Sequence, residues 1–357
     1  MKKNLLMAAV AMMTALSALA QKIEVVDADG YGIPQVVVLT EDGTLIGVTD
    51  INGVLSDVKG NAKVTLRLVG FKSQTVTVAS LAEGKVTMED LDYSLAEVVV
   101  KPKPYIYVET LYRVYVYRND SLCYFSSGIM PNAYDAKNKK LEHGSYSNAR
   151  AEYCNKLGAA ATWSVRAQKY DAGQITIIPS LERMEKKMKD NLFVTTTVNS
   201  PSRSTYSNPQ GIISYLTRTD GQVRVNLDAG KMQMYANEAN GETEKLEKRQ
   251  MMGYENQYTI AWAENEERTL GAENFLMEMN HWEYNDHKGH VKFFIETYAT
   301  DHYYMDEKEW KARKKAIKAD YGSTMTLDQL SDYATRHNIP ALSPATLQAI
   351  GKLKSQW

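Results

Sequence analysis

Short apolar runs alternate with polar residues through the first hundred positions. They read Lys22-Ile-Glu-Val-Val-Asp-Ala-Asp-Gly30, Gly32-Ile-Pro-Gln-Val-Val-Val-Leu39, Gly47-Val-Thr-Asp-Ile-Asn-Gly53, Val64-Thr-Leu-Arg-Leu-Val-Gly-Phe71 and Leu95-Ala-Glu-Val-Val-Val100. Gly, Asn and Asp punctuate them roughly every 8–12 residues, the pattern of a small β-sandwich. Asp29-Gly30 and Asp42-Gly43 tolerate the positive φ of tight turns. Asn52-Gly53, between Ile46-Gly-Val48 and Val54-Leu55, is the dipeptide favoured in a type I′ turn. The unbroken run Val36–Leu39 predicts a strand covered on both faces. Val64, Leu66 and Leu68, alternating with Thr65 and Arg67, predict a half-solvated strand.

Lys101-Pro-Lys-Pro104 interrupts this pattern, and the residues 102–104 read as a stiff linker. Beyond it, Tyr105–Arg118 alternates strongly. Ile106, Val108, Tyr112, Val114 and Val116 share one face; Tyr105, Tyr107, Glu109, Arg113, Tyr115 and Tyr117 share the other. The tyrosine stripe is read either as a stacking surface for sugar or peptide, or as a face covered by a loop or helix. Further strands are expected at Ser121–Met130, Ser145–Tyr153, Asn191–Val198, Gly211–Arg218, Gln222–Leu227, Lys231–Tyr235, Gln257–Trp262, Glu273–Glu283 and His290–Thr300. A helix is expected over Ser180–Asp190, where Leu181, Met184 and Met188 recur at helical spacing. Three helices should close the chain: one capped by Asp306 to about Ala319, one opened by the capping box Thr326-Leu-Asp-Gln329, and one opened by Ser343-Pro344. The fold class is therefore mainly β: a small β-sandwich over residues 21–101, then an antiparallel-sheet domain over 105–357 with helices near 180–190 and 306–355.

The ordered set Asp27, Gly32-Ile-Pro34, Val36-Val-Val38, Gly47–Gly53, Val69-Gly-Phe71 and Leu95–Val100 resembles the carboxypeptidase regulatory-like domain. Gln35 stands where that family usually has Gly, and Leu55 where it often has an aromatic. The resemblance spans residues 22–101 and implies a seven-stranded, transthyretin-like sandwich with an accessory, non-catalytic role, as at the N-termini of TonB-dependent outer-membrane receptors. It is no evidence of peptidase activity.

The first residues carry an address. Lys2 and Lys3 precede the apolar stretch Leu5–Leu16, and Ala18-Leu19-Ala20 offers small residues for cleavage, so residues 1–20 read as a signal peptide with the mature chain beginning at Gln21. The apolar stretch is shorter than the ~20 residues a spanning helix needs. The chain is thus expected to be exported, to the periplasm, the outer-membrane periphery or the medium, and not to be an integral membrane protein. Charge is balanced, with 42 Lys+Arg against 43 Asp+Glu, so nothing points to nucleic acid. Tyr is frequent, 23 against 6 Phe, which suits strands with an apolar body and a wet tip. Cys123 and Cys154 are the only two cysteines. In an oxidising compartment a disulfide is expected between them, the alternative being two buried thiols on separated strands.

Catalytic signatures are missing from the sequence. It contains no Gly-x-Ser-x-Gly, no His-Glu-x-x-His and no phosphate loop, and no cofactor is implied. His281, His287 and His290, with Asp286, form the only histidine cluster. They straddle an expected hairpin turn at Asn285–Gly289, and nothing fixes a third metal ligand, so they read as surface imidazoles and no metal is assigned. Asp50-Ile-Asn-Gly53 begins like a calcium loop, but Asn61 falls where the bidentate Glu belongs. Ser56 and Lys59 match a serine–lysine pair without companion motifs, and Glu264, Glu266 and Glu267 read as a solvated loop. The chain is therefore expected to be a non-enzymatic envelope protein that binds or assembles with an envelope protein, glycan or lipid. The alternatives are a peptide or glycan hydrolase with its site in the C-terminal domain, and a lipid- or lipoprotein-binding half-barrel.

Overall fold

The computed structural model describes residues 20–59, 62–93, 103–136, 140–143, 149–158, 186, 194–219, 221–239, 241–253, 255–264, 270–319 and 323–355. Residues 1–19, residues 94–102 and the helix expected over Ser180–Asp190, apart from Lys186, lie outside them. Two compact units divide at Leu91/Asp92, ahead of the Lys101–Pro104 linker, and Leu342–Ala349 returns to the first unit.

The first unit holds β1 (Ala20–Val26), β2 (Val37–Thr40), β3 (Leu45–Val48), β4 (Val54–Lys59), β5 (Lys63–Arg67), β6 (Gln74–Thr77) and β7 (Lys85–Thr87). They form a three-stranded sheet, β4-β1-β7, and a four-stranded sheet, β3-β2-β5-β6, which is the seven-stranded sandwich expected. Val36 to Leu39 are fully buried, as a run without polar interruptions demands. In β5 the expected half-solvation does not hold, because Thr65 and Arg67 are buried as well. This strand lies between β2 and β6, and Thr65 Oγ1 meets Thr75 Oγ1 at 3.1 Å across that ladder.

The Asn52-Gly53 loop is a second departure. It is not a hairpin turn, since β3 and β4 belong to different sheets. Only Gly53 has positive φ, +80°, where a type I′ turn needs two such residues. The Asp50 carboxylate instead shapes the loop, accepting from the backbone N–H of Asn52 and of Val54, each at 2.9 Å. Glycine is required twice over: a Cβ at Gly53 would lie 2.5 Å from the Val25 carbonyl oxygen and 2.6 Å from Ile33 N.

The second unit is built on β8 (Tyr105–Arg118), β9 (Ser121–Asp135), β10 (Lys140–His143), β11 (Ala149–Cys154), β12 (Thr195–Ser200), β13 (Arg203–Asn208), β14 (Gly211–Thr219), β15 (Gln222–Asp228), β16 (Glu255–Ala263), β17 (Phe275–Asp286), β18 (Gly289–Met305), β19 (Ser323–Thr324) and β20 (Lys354–Ser355). They make one thirteen-stranded sheet with the path β12-β13-β14-β15-β16-β17-β18-β8-β9-β11-β19; β10 pairs with β9 and β20 with β11. Asn119 and Asp120 both adopt positive φ between β8 and β9, the conformation of a two-residue type I′ hairpin. The expected tyrosine stripe is covered: Tyr107, Tyr115 and Tyr117 are all buried.

Five α-helices have their bounds among the described residues: α1 (Ala229–Ala239), α2 (Thr243–Met251), α3 (Glu307–Ala319), α4 (Leu327–Arg336) and α5 (Pro344–Gly351). α1 replaces the strand expected at Lys231–Tyr235. Asp228 Oδ1 accepts from Lys231 N at 2.8 Å and starts the helix, while Met232 packs on the core. The alternation of Lys231-Met-Gln-Met-Tyr235 imitates a strand, but most of its residues are good helix formers. The C-terminal caps are those expected. Asp306 Oδ1 accepts from Glu309 N at 2.8 Å, Thr326 and Gln329 form a capping box, and Ser343 Oγ accepts from Thr346 N at 3.2 Å.

Glu109 fastens α3 and α4 to the sheet. Tyr107 Oη donates to its Oε2 at 2.9 Å and Tyr333 Oη to its Oε1 at 2.9 Å, while Arg313 Nη2 donates to Tyr107 Oη at 2.9 Å. Replacing Tyr333 with Phe removes one donor from a half-buried carboxylate, which costs about 1–2 kcal/mol. Tyr333→Phe should therefore unfold at lower urea concentration with an unchanged m-value, and an unaltered midpoint would show that the hydroxyl carries no such weight.

Cys123 and Cys154 are free, buried thiols, so the structure does not contain the expected disulfide. Nor are their strands separated, since β9 and β11 are neighbours. A bulge brings the two into one core cluster: Val116 faces Tyr124 and Tyr117 faces Leu122, leaving Cys123 without an opposite residue on β8. Burial pushes the Cys123 thiol up to about 11 and raises Cys154 too. Thiol–disulfide exchange and alkylation both start from the thiolate. Native protein should resist iodoacetamide at pH 8, and urea-unfolded protein should take up two labels per chain. A native mass lower by two hydrogens, with no labelling after unfolding, would show a bridge instead.

Candidate functional site

The β17–β18 hairpin carries the site. Its ladder is unbroken from Met277–Tyr298 to Asp286–Gly289, so alternation decides which side chains share a face. His281 faces Phe294, Glu283 faces Lys292 and Asn285 faces His290. On the other side of β17, Glu283 faces Glu255 of β16. The hairpin turn falls at His287-Lys288, within the span expected.

Three nitrogens surround one carboxylate oxygen. Glu283 Oε2 lies 3.4 Å from His290 Nε2, 3.5 Å from Lys292 Nζ and 3.8 Å from His281 Nε2. Exposure falls across the group: Glu255 is exposed, His290, Glu283 and Lys292 are intermediate, and His281 is only 2% exposed. The His281 ring stacks on Phe294 with centroids 4.6 Å apart, and neither ring nitrogen has a hydrogen-bond partner.

These surroundings shift every group. Burial drives His281 down to about 3, and the positive charge of Lys292 acts in the same direction. Burial lowers His290 as well. Glu283 is raised by desolvation against the opposing pull of Lys292. Glu255 is raised by desolvation, then by Glu283 and Asp228. At neutral pH the two imidazoles of the group are therefore neutral.

A clasp holds the hairpin in place. Arg118 donates to Asp286 at 2.8 and 2.9 Å through two nitrogens, and this pairing holds the Asp286 carboxyl below its usual range. Asn119 Oδ1 accepts from His290 N at 3.0 Å, and Asn119 N donates to His290 O at 2.9 Å.

The structure thus brings together two of the three candidate histidines. His281 and His290 share a face beside Glu283, while His287 is exposed in the turn and Asp286 is committed to Arg118. His281 is no surface imidazole; its ring is in the core. Among the described residues no group of three or more His, Cys, Asp or Glu side chains is placed to hold a metal ion. The Lys292 ammonium sits beside the carboxylate oxygen that a cation would need. Glu283, Glu255 and Lys292 escaped the sequence reading, although period-two alternation through His281–Lys292 aligns Glu283 and Lys292 with the two histidines.

Ser56 and Lys59 are exposed on β4. Glu264 pairs with Arg218, and Glu266 and Glu267 lie outside the described residues. No helix among the described residues is long and apolar enough to cross a membrane. Compared with known protein families, with curated proteins and with solved structures, the chain finds no match.

The depressed His281 predicts acid sensitivity with a definite sign. The unfolded chain binds a proton near the ordinary 6.5, whereas the folded chain does so only near 3. Stability is therefore complete above 6.5 and falls as pH drops through that window, by about 1.4 kcal/mol per pH unit for one proton. Glu283 and Glu255, with raised values, act oppositely nearer their own titration range. Comparison with His281→Phe, which keeps the ring stacking, isolates the histidine. In urea melts the stability difference should shift by about 2 kcal/mol in favour of the variant between pH 7 and 5, and a constant difference would contradict the buried neutral imidazole.

Proposed function

We propose that this chain is an exported, non-enzymatic protein of the cell envelope with a binding or assembly role. One observation carries the reading: three carboxylates on the large sheet lie against donors from its strands and from helix α4. Tyr107 and Tyr333 hold Glu109, Arg118 holds Asp286, and Lys292 neighbours Glu283. Carboxylates so engaged stiffen a scaffold, whereas general acid–base work needs a group free to exchange its proton with a substrate. The charged-then-apolar order of residues 1–20 and the resemblance of residues 22–101 to the carboxypeptidase regulatory-like domain support an envelope address and an accessory role for the sandwich.

The hydrolase is the second reading, and a specific pair favours it. Glu255 and Glu283 face each other across β16 and β17, and both are raised. Directly opposed Cβ atoms lie about 4.5–5.5 Å apart, a spacing from which two carboxyls can flank a glycosidic bond. Screening the full chain against peptidase and glycosidase substrates decides between the readings. The expected result is recovery in the envelope fraction, with loss of residues 1–20 by intact mass and no turnover with or without zinc. Turnover abolished by Glu283→Gln would favour the hydrolase.

A further inference from the structure

We propose that Glu255, Glu283, His290 and Lys292, with His281 as the innermost group, form a binding site for a neutral polyhydroxylated ligand, an oligosaccharide. The inference deepens the binding reading and rests on it.

The argument begins with His281. A neutral imidazole offers one donor and one acceptor, and here both are buried without a partner. Orphaned polar groups of this kind are uncommon in folded proteins and call for an explanation. The Nε2 atom points toward Glu283, with Oε2 3.8 Å away, too far for a hydrogen bond. A hydroxyl group is the complement of that ring, since it donates and accepts at once.

The charges around it select against ions. An anion would meet Glu255 and Glu283; a cation would meet Lys292, whose ammonium already lies 3.5 Å from Glu283 Oε2. Hydroxyls suit both signs, donating to the carboxylates and accepting from the ammonium. Exposure grades from exposed Glu255 to enclosed His281, so a sugar ring would engage the group from the Glu255 end. The clasp by Arg118 and Asn119 fixes the hairpin backbone that carries Glu283, His290 and Lys292 before any ligand arrives, which lowers the ordering cost of binding.

Titration calorimetry on the full chain tests the site. The probes are cellobiose, maltose and diacetylchitobiose, with putrescine and inorganic phosphate as charged controls. At least one disaccharide should bind while both ions do not. Glu255→Gln changes an exposed residue and leaves the fold intact. Glu283→Gln keeps shape and removes charge. Each should weaken binding about tenfold or more, the usual loss of a charge-assisted hydrogen bond. His281→Phe should weaken it similarly while retaining the fold.

Binding of putrescine or phosphate in preference to sugar would overturn the inference. So would sugar binding that all three variants leave unchanged, or the absence of binding by every probe. The last result would leave the envelope reading standing if the protein is still exported and inert. Sugar binding accompanied by hydrolysis would keep this site and refute the non-enzymatic reading.

Discussion

A single irregularity in one of the two longest ladders organises the second unit. β18 pairs with β8 along nearly its whole length, but the register slips between Ala299 and Asp301, leaving Thr300 as the extra residue. The slip frees groups that a regular ladder would consume. The Ala299 carbonyl accepts from the buried Tyr93 hydroxyl, and Thr300 Oγ1 donates to Glu109 O at 3.2 Å and lies 2.8 Å from Tyr333 Oη. The bulge therefore supplies the attachment points for the segment entering the sheet and for helix α4. It also bends the strand, so that Tyr107, Tyr303 and Met305 pack with Trp310 and Ile317 of α3. Without the extra residue the helices would have apolar faces but no hydrogen-bonded seat.

Above the bulge the ladder is regular, and this is where the charged group sits. Here register does the work that loops do elsewhere. One face of the hairpin puts Trp282 on Phe293, with ring centroids 3.9 Å apart and planes 4° from parallel, inside an apolar cluster with Tyr112 and Val116. The other face carries His281, Glu283, His290 and Lys292. A one-residue slip would exchange the faces, burying Glu283 among aromatic rings and driving Trp282 out. The aromatic stack therefore fixes the polar side chains, and its apolar burial offsets the cost of holding an unpartnered imidazole in the core.

Much of this architecture was legible in the chain, because it depends on local patterns. Tyr105–Arg118 alternates over its whole length and forms β8 with the bounds expected. The capping signals at Asp306, Thr326 and Ser343 operate as their chemistry suggests. What misled was chemistry that serves two structures. Asn52-Gly53 suits a hairpin, yet the neighbouring Asp50 carboxylate captures two backbone N–H groups and turns the chain from one sheet into the other. Lys231–Tyr235 alternates like a strand, yet Asp228 caps it into a helix. The candidate site was half legible. Its histidines stood out as a type of residue, but their separation into a buried ring, a half-buried ring and an exposed ring depends on register, which no count of histidines shows.

The same reasoning explains why His281 and His290, so close in sequence, differ in kind. Both flank Glu283, and both are lowered by burial first and by Lys292 next. Yet His281 lies four residues deeper along its strand than the position opposite His290, enclosed by Phe294 and the ladder on both sides. His290 sits at the hairpin end, where solvent still reaches the ring and Asn119 engages only its backbone. Depth along one ladder thus grades the group from a titratable imidazole at the surface to one held neutral within. Glu283 lies between them, close to both rings and to the Lys292 ammonium. A change of charge at the surface end is felt at the buried end, because Lys292 and His290 both act on His281 through surroundings of low dielectric that screen their field poorly.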